Sequence, residues 1–182
     1  MPASSASPPL KSALVLGAGS WGTALASLLH ERGLQVAFWG RDEALMKEIG
    51  HTRRNSRYLP SVHLAEAIQV THDLGMLPDA DLIVFVVPSK GIRDTARALA
   101  STGMHERSRV VVSCAKGIEL HTGKRMSEIL AEELPGPQHA VLTGPNHAEE
   151  VAQRLATAAV VAAMAMLCMA QHAMSLAEYT PM

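Results

Sequence analysis

The sequence predicts an α/β fold built on a doubly wound parallel sheet, and three observations predict it. Short β-branched runs alternate with helical stretches along most of the chain, the pattern of a parallel sheet with right-handed crossovers. The run Leu-Ile-Val-Phe-Val-Val at 82–87 is continuously apolar, as a strand buried on both faces must be. A Gly-x-Gly-x-x-Gly loop, at 17–22, follows the first strand directly and opens a helix.

The elements follow in order. Met1–Pro9 is rich in Ser, Pro and Ala, so 1–10 are expected to be a disordered leader. It lacks the basic region ahead of an apolar stretch that a secretory signal carries. Ser12–Leu16 is predicted as a strand, Ser20–Arg32 as a helix, Gln35–Trp39 as a second strand and Asp42–Ile49 as a short helix. His51–Pro60 is a polar loop whose Arg53, Arg54 and Arg57 are expected to face solvent, with steering of a phosphorylated ligand as the alternative. Ile68–Val70 and Leu82–Val87 are the third and fourth strands, Gly91–Ala100 a helix, and Val110–Ser113 the fifth strand. Thr122–Leu134 is helical and closes at Pro135-Gly136, and Ala140–Leu142 is the sixth strand. Asn146 is expected to cap the next helix, with Glu149 completing a capping box, and Ala158–Ala163 is the last strand-like run.

Composition narrows the function classes. A chain of 182 residues suits one domain, or one and a fraction, and can bury a real core. Sixteen basic against 17 acidic side chains leave no field to draw nucleic acid or an acidic membrane. Hydrophobic content of 48% with 3% aromatic implies an Ala/Val/Leu/Met core. Two cysteines, Cys114 and Cys168, make no disulfide framework, which fits a reducing cytoplasm. No two of the nine histidines stand at i, i+3 or i, i+4 spacing, so no metal site is expected. Leu155–Ala170 is apolar apart from Thr157, but it falls short of the roughly 20 residues a membrane span needs. A buried strand followed by a core-facing helix accounts for it.

Each glycine of the loop has a task in dinucleotide binding. Gly17 permits the tight turn, Gly19 lets backbone approach a pyrophosphate, and Gly22 lets the helix pack closely on the strand. Free N–H groups at the helix start then face the phosphates. The exit of the second strand, Gly40-Arg41-Asp42, bears on cofactor choice. Arg41 suits the extra phosphate of NADP, while Asp42 keeps NAD open or merely caps the next helix.

Six segments then stand in order: VLGAGSWGTALA at 15–26, FWGRD at 38–42, NSRYLP at 55–60, VVPSKGIRD at 86–94, CAKGIE at 114–119 and LTGPNHAEEVAQRLATAAVVA at 142–162. Together they resemble bacterial-type NAD(P)-dependent glycerol-3-phosphate dehydrogenase, from about Lys11 to about Ala163. Other two-domain dehydrogenases, acting on a hydroxy acid or an acyl-CoA, share the glycine loop but not this set of motifs. The resemblance implies interconversion of dihydroxyacetone phosphate and sn-glycerol 3-phosphate with NAD(P)H, feeding glycerophospholipid synthesis. It implies cofactor contacts at Ser20, Trp21, Arg41, Lys116 and Ala148, and substrate contacts at Lys116, Gly144 and Asn146. Lys116 lies just past the fifth strand, at the carboxyl edge where open α/β sheets bind ligands, and suits a phosphate or a polarised carbonyl. Gly144-Pro145-Asn146 at a helix start is a candidate anion site.

Two departures qualify the resemblance. Asn146 stands where the family usually has Ser or Thr, and His147 where it has an aromatic. In the family a helical domain follows, opening with a lysine that acts as general acid/base; here nothing basic follows Arg154 except His172. The sequence therefore predicts a dinucleotide-binding domain over 11–163, a divergent, truncated tail over 164–182, and no C-terminal helical domain. It leaves open a working oxidoreductase and a catalytically silent dinucleotide-binding fragment. A sheet without its usual helical partner should expose an apolar patch, which favours self-association and admits a homodimer.

Overall fold

The runs that are apolar without a break form the middle of the sheet. The structure, a computed structural model, describes residues 8–163. Along the chain come β1 (Ser12–Leu16), α1 (Ser20–Glu31), β2 (Gln35–Trp39), α2 (Glu43–Thr52), β3 (Arg54–Asn55), β4 (Leu59–His63) and β5 (Gln69–Thr71). Then follow β6 (Leu82–Phe85), α3 (Ile92–Ala100), β7 (Val110–Ser113), α4 (Met126–Glu133), β8 (Gln138–Thr143), α5 (Ala148–Ala152) and β9 (Val160–Ala163). Seven strands make one sheet in the order β5-β2-β1-β6-β7-β8-β9, and β3 pairs with β4 in a separate hairpin.

Alternation along each central strand divides the core into two layers. Val15, Phe38 and Val84 face one side, where α1, α2 and α5 pack; Leu16, Trp39 and Phe85 face the other, against α3 and α4. Both faces are covered, which is why these strands need no polar residue. The strand order reverses between β1 and β6, so the chain leaves the sheet in opposite directions there and opens a crevice at the carboxyl ends.

The structure corrects several boundaries. The sheet is not wholly parallel, because β9 runs antiparallel to β8. The only helix between them, α5, has five residues and rises about 7.5 Å, too short to carry the chain back along β8 for a parallel crossover. The polar loop at 51–60 contains β3 and the start of β4. Helix α4 begins at Met126, four residues after the expected start, because Gly123 turns with φ +69° and Glu119 N–H bonds the Lys124 carbonyl. Glu128 there accepts from the Arg125 N–H at 2.7 Å, an N-terminal cap the sequence did not single out.

Within the expected leader, Leu10 packs against the core and the Pro8 carbonyl accepts from Arg109. Residues 1–7 and the tail at 164–182 lie outside the described residues, as does Cys168. Leu155, Val160 and Val161 are 53%, 58% and 66% exposed at and before the edge strand β9, so the strand expected to be buried there is not: it lies at the edge of the sheet, paired on one side only. Among the described residues no helix is long and apolar enough to cross a membrane, and no group of three His, Cys, Asp or Glu could hold a metal ion.

Candidate functional site

The crevice at the strand reversal is a cleft of about 570 Å³, floored by the glycine loop and by the Val86-Val87-Pro88 exit of β6. Gly17 has φ +127°, and a Cβ there would sit 2.7 Å from the Val86 carbonyl carbon. A Cβ on Gly22 would come within 1.8 Å of the Gly17 oxygen, so this glycine admits the loop rather than the strand itself. A Cβ on Gly19 would meet nothing within 4 Å, leaving its face open to the cleft it lines. The Gly17 N–H is taken by the Trp39 carbonyl at 2.8 Å. The N–H groups of Ala18 through Gly22 have no protein acceptor among the described residues. Such a run of amides at the start of α1, with the helix dipole behind it, fits an anionic diphosphate.

Arg41, Asp42, Arg57 and Lys90 bring charge to the same cleft. Asp42 Oδ1 accepts from the Leu45 N–H and caps α2, while Oδ2 lies 3.4 Å from Arg57 Nη1. Both oxygens of the one acidic side chain lining the cleft are thus engaged. Arg57 also lies over the Tyr58 ring, 5.2 Å from its centroid.

A second, smaller cavity of about 170 Å³ lies beside the exits of β7 and β8. Trp21, Lys116, Asn146 and Ala148 line it together with Cys114 and His147. The structure thus brings together four of the residues singled out from the sequence, but in a different cavity from the one that Gly17, Gly19 and Arg41 line. Ser20 lines neither; its hydroxyl donates to the Tyr58 carbonyl at 2.8 Å. Burial pushes the Cys114 thiol up to about 12, against a weaker opposing hydrogen bond with Trp21, so it stays protonated and is no nucleophile.

The Lys116-Gly117 turn is held from outside. Arg93 on α3 grips the Glu119 carboxylate at 2.7 and 2.8 Å and also reaches Glu132 and Glu133 on α4. Hydrogen bonds from Arg93, then from Thr122, hold the Glu119 carboxyl at about 2. Gly144 lines neither cavity, but it shapes the turn that carries Asn146. It has φ +150°, and a Cβ would lie 2.6 Å from the Ala158 oxygen and 3.1 Å from Asn146 Nδ2.

Three sequence expectations are corrected here. Asn146 does not cap α5; the cap position is His147, with no side-chain bond, and Asn146 Nδ2 donates to the Ala158 carbonyl at 3.1 Å. Asn146 is drawn toward the strand that returns beside β8, and Glu149 closes no capping box. A helix of five residues also carries too little dipole to make the 144–146 turn an anion site by that means. Arg53 is not solvated: its guanidinium donates to the Glu66 carboxylate and to the Ile68 and Glu66 carbonyls, closing the end of α2. The sequence also passed over Asn55, which is fully buried beneath the glycine loop, and Gly40, where a Cβ would strike Met46 and Ala18. The motif NSRYLP contained Asn55, but nothing in one sequence marks a loop asparagine as buried.

Known proteins share this sequence pattern and this fold. Residues 12–168 match the family model described as the NAD-dependent glycerol-3-phosphate dehydrogenase N-terminus. The chain is 47% identical over 154 residues to the glycerol-3-phosphate dehydrogenase [NAD(P)+] of Moorella thermoacetica, covering 84% of this chain and 45% of that protein. It is 42% identical over 156 residues to the enzyme of the same name from Chlorobium luteolum, covering 84% and 46%. Among solved structures, glycerol-3-phosphate dehydrogenase from Coxiella burnetii superposes with a TM-score of 0.78 at 30% identity, over 89% of this chain and 50% of that one. The Saccharomyces cerevisiae enzyme gives 0.73 at 29%, over 85% and 48%. The chain spans about half the length of the curated relatives it matches.

Proposed function

This chain belongs to the NAD-dependent glycerol-3-phosphate dehydrogenase family by its N-terminal model, and from that premise we propose that residues 11–163 form a dinucleotide-binding domain that holds NADP or NAD in the larger cleft. The observation that carries the reading is the run of unengaged amides from Ala18 to Gly22, within which Gly19 has no Cβ to block approach. These amides would hold the pyrophosphate, and Arg41 would meet the adenosine ribose. NADP is favoured over NAD because both Asp42 oxygens are already engaged, which leaves Arg41 the freer partner. The nicotinamide, when bound, supplies or accepts a hydride.

The smaller cavity would serve the reacting end. Lys116 would touch both cofactor and substrate, Ser20, Trp21 and Ala148 the cofactor, and Gly144 and Asn146 the substrate. Lys116 offers an ammonium to a phosphate or to the oxygen of a polarised ketone. The partners on this reading are dihydroxyacetone phosphate and sn-glycerol 3-phosphate, soluble metabolites that suit a cytoplasmic setting. Reducing a ketone also needs a proton delivered to its oxygen. The resemblance assigns that step to a lysine of a following helical domain, so the described residues alone bind dinucleotide without turning it over.

Titration of NADPH and NADH by fluorescence, followed by a rate assay with dihydroxyacetone phosphate, tests this. Saturable binding with no NADPH loss above background is the expected result. No binding at millimolar NADPH and NADH would end the reading, and turnover above background would favour a complete enzyme.

A further inference from the structure

Asn55 is fully buried, yet it stands in the short hairpin outside the main sheet. A buried amide must find partners for its two donors and its carbonyl oxygen, and all three are met here. Nδ2 donates to the Ala18 carbonyl at 3.0 Å and to Thr23 Oγ1 at 2.8 Å, while Oδ1 accepts from the Tyr58 N–H at 3.2 Å. The amide can sit only one way round. A flip would set oxygen against the Ala18 carbonyl and NH2 against an N–H. Thr23 extends the chain, since its hydroxyl donates to the Gly19 carbonyl at 2.9 Å. The hairpin closes the circuit from the other side, because the Tyr58 carbonyl accepts from Ser20 Oγ.

The effect falls on carbonyl direction. Of the loop residues between Gly17 and Ser20, Ala18 and Gly19 carry the carbonyls that could turn into the cleft and repel an anion. Asn55 and Thr23, both fully buried and neither lining the cleft, occupy the two oxygens, and the Thr23 N–H adds a second bond to the Gly19 oxygen at 3.0 Å. What remains for a ligand is donors only.

We propose that Asn55 is a positioning residue for the pyrophosphate site: through Ala18 and Thr23 it fixes the glycine loop with its carbonyls withdrawn and its amides presented. This rests on the proposed dinucleotide function and adds a residue to it that touches no ligand. The hairpin is on this view a brace for the loop, with Asn55 as its point of attachment.

The test is Asn55→Asp, which keeps size but replaces a double donor by a carboxylate facing the Ala18 oxygen. Kd for NADPH and for NADH is measured by fluorescence well below the variant's unfolding temperature, with circular dichroism as the check on folding. Both constants should rise by about tenfold or more, and by the same factor, because both ligands share the pyrophosphate. A role confined to packing would lower Tm and leave both affinities within twofold, which would overturn the proposal. So would a change in the NADPH-to-NADH ratio, which would place the effect at the ribose end. Should Asn55→Asp fail to fold, Thr23→Val carries the test, since it removes the bridging hydroxyl at constant volume; a rise of about threefold in both constants is expected, and none would overturn it. Unaltered protein that binds neither dinucleotide would remove the proposed function itself, and this inference with it.

Discussion

Two loops face the two cavities, and they are held in place by opposite means. The glycine loop is fixed by neutral hydrogen bonds beneath its surface, from buried Asn55 and Thr23, and by contacts that exclude a Cβ at Gly17 and Gly22. The Lys116-Gly117 turn is fixed by charge, through the two-pronged bond of Arg93 to Glu119 and the acidic pair on α4 behind it. The difference teaches where each site is vulnerable. Sterics and buried amides do not respond to pH or salt, whereas partly exposed ion pairs respond to both. The glycine loop is therefore a fixed part of the fold, and the lysine turn is an adjustable one.

The largest effect should come from breaking the rigid side. Gly17→Ala forces a side chain into φ +127° and against the Val86 and Val87 backbone, neither of which can yield without moving β6. We expect a loss of about 3 kcal/mol in stability and of dinucleotide binding by about 100-fold. Thermal unfolding and NADPH titration measure the two. A variant as stable and as tight as the unaltered protein would show that this loop is not the rigid element.

The same contrast decides what the sequence could reveal. The central strands were legible because burial on two faces leaves an unbroken apolar run, and β1, β2 and β7 fall where the pattern put them. The glycine loop was legible because backbone conformation restricts residue type, and φ +127° at Gly17 permits little else. The antiparallel return of β9 was not, because the apolar residues of 158–163 carry no mark of direction. Nor was the role of Asn146, whose choice between capping α5 and bonding Ala158 depends on where β9 comes to lie. Asn55 was hidden for the same reason. Its partners are 32 and 37 residues away, and only the tertiary fold brings them together.

An intermediate effect should separate the two ends of the larger cleft. Arg41 is exposed at its mouth, beside an Asp42 whose oxygens are both engaged. Arg41→Ala should lower NADPH affinity by about tenfold and leave NADH affinity within twofold, since only NADPH carries the second phosphate. Stability should be unchanged, because the side chain supports no element. This is the converse of the Asn55 expectation, in which both ligands weaken together. Equal losses for the two dinucleotides would mean that Arg41 acts on the shared diphosphate and that the cleft has no separate ribose end.

The smallest effect, and the one that probes the adjustable side, is acid sensitivity at Glu119. Its carboxyl is held at about 2 in the folded chain, chiefly by Arg93 and then by Thr122, against an ordinary value of 4.5. The folded state thus favours the ionised form. That contribution is complete above pH 4.5 and is lost as pH falls from there toward 2. Glu119→Gln removes both the charge and its titration. The variant should be slightly less stable at pH 7, and the gap should close steadily between pH 4.5 and 2 in urea unfolding followed by circular dichroism. Part of the acid limb must survive in the variant, because Glu128, held at about 2 by Arg125, titrates independently. Binding of NADPH at pH 7 should weaken by less than threefold, since the glycine loop has its own supports. A gap that stayed constant across that pH range would show that the Arg93 pair does not hold the lysine turn, and the contrast between a steric loop and an ionic one would fail on its ionic half.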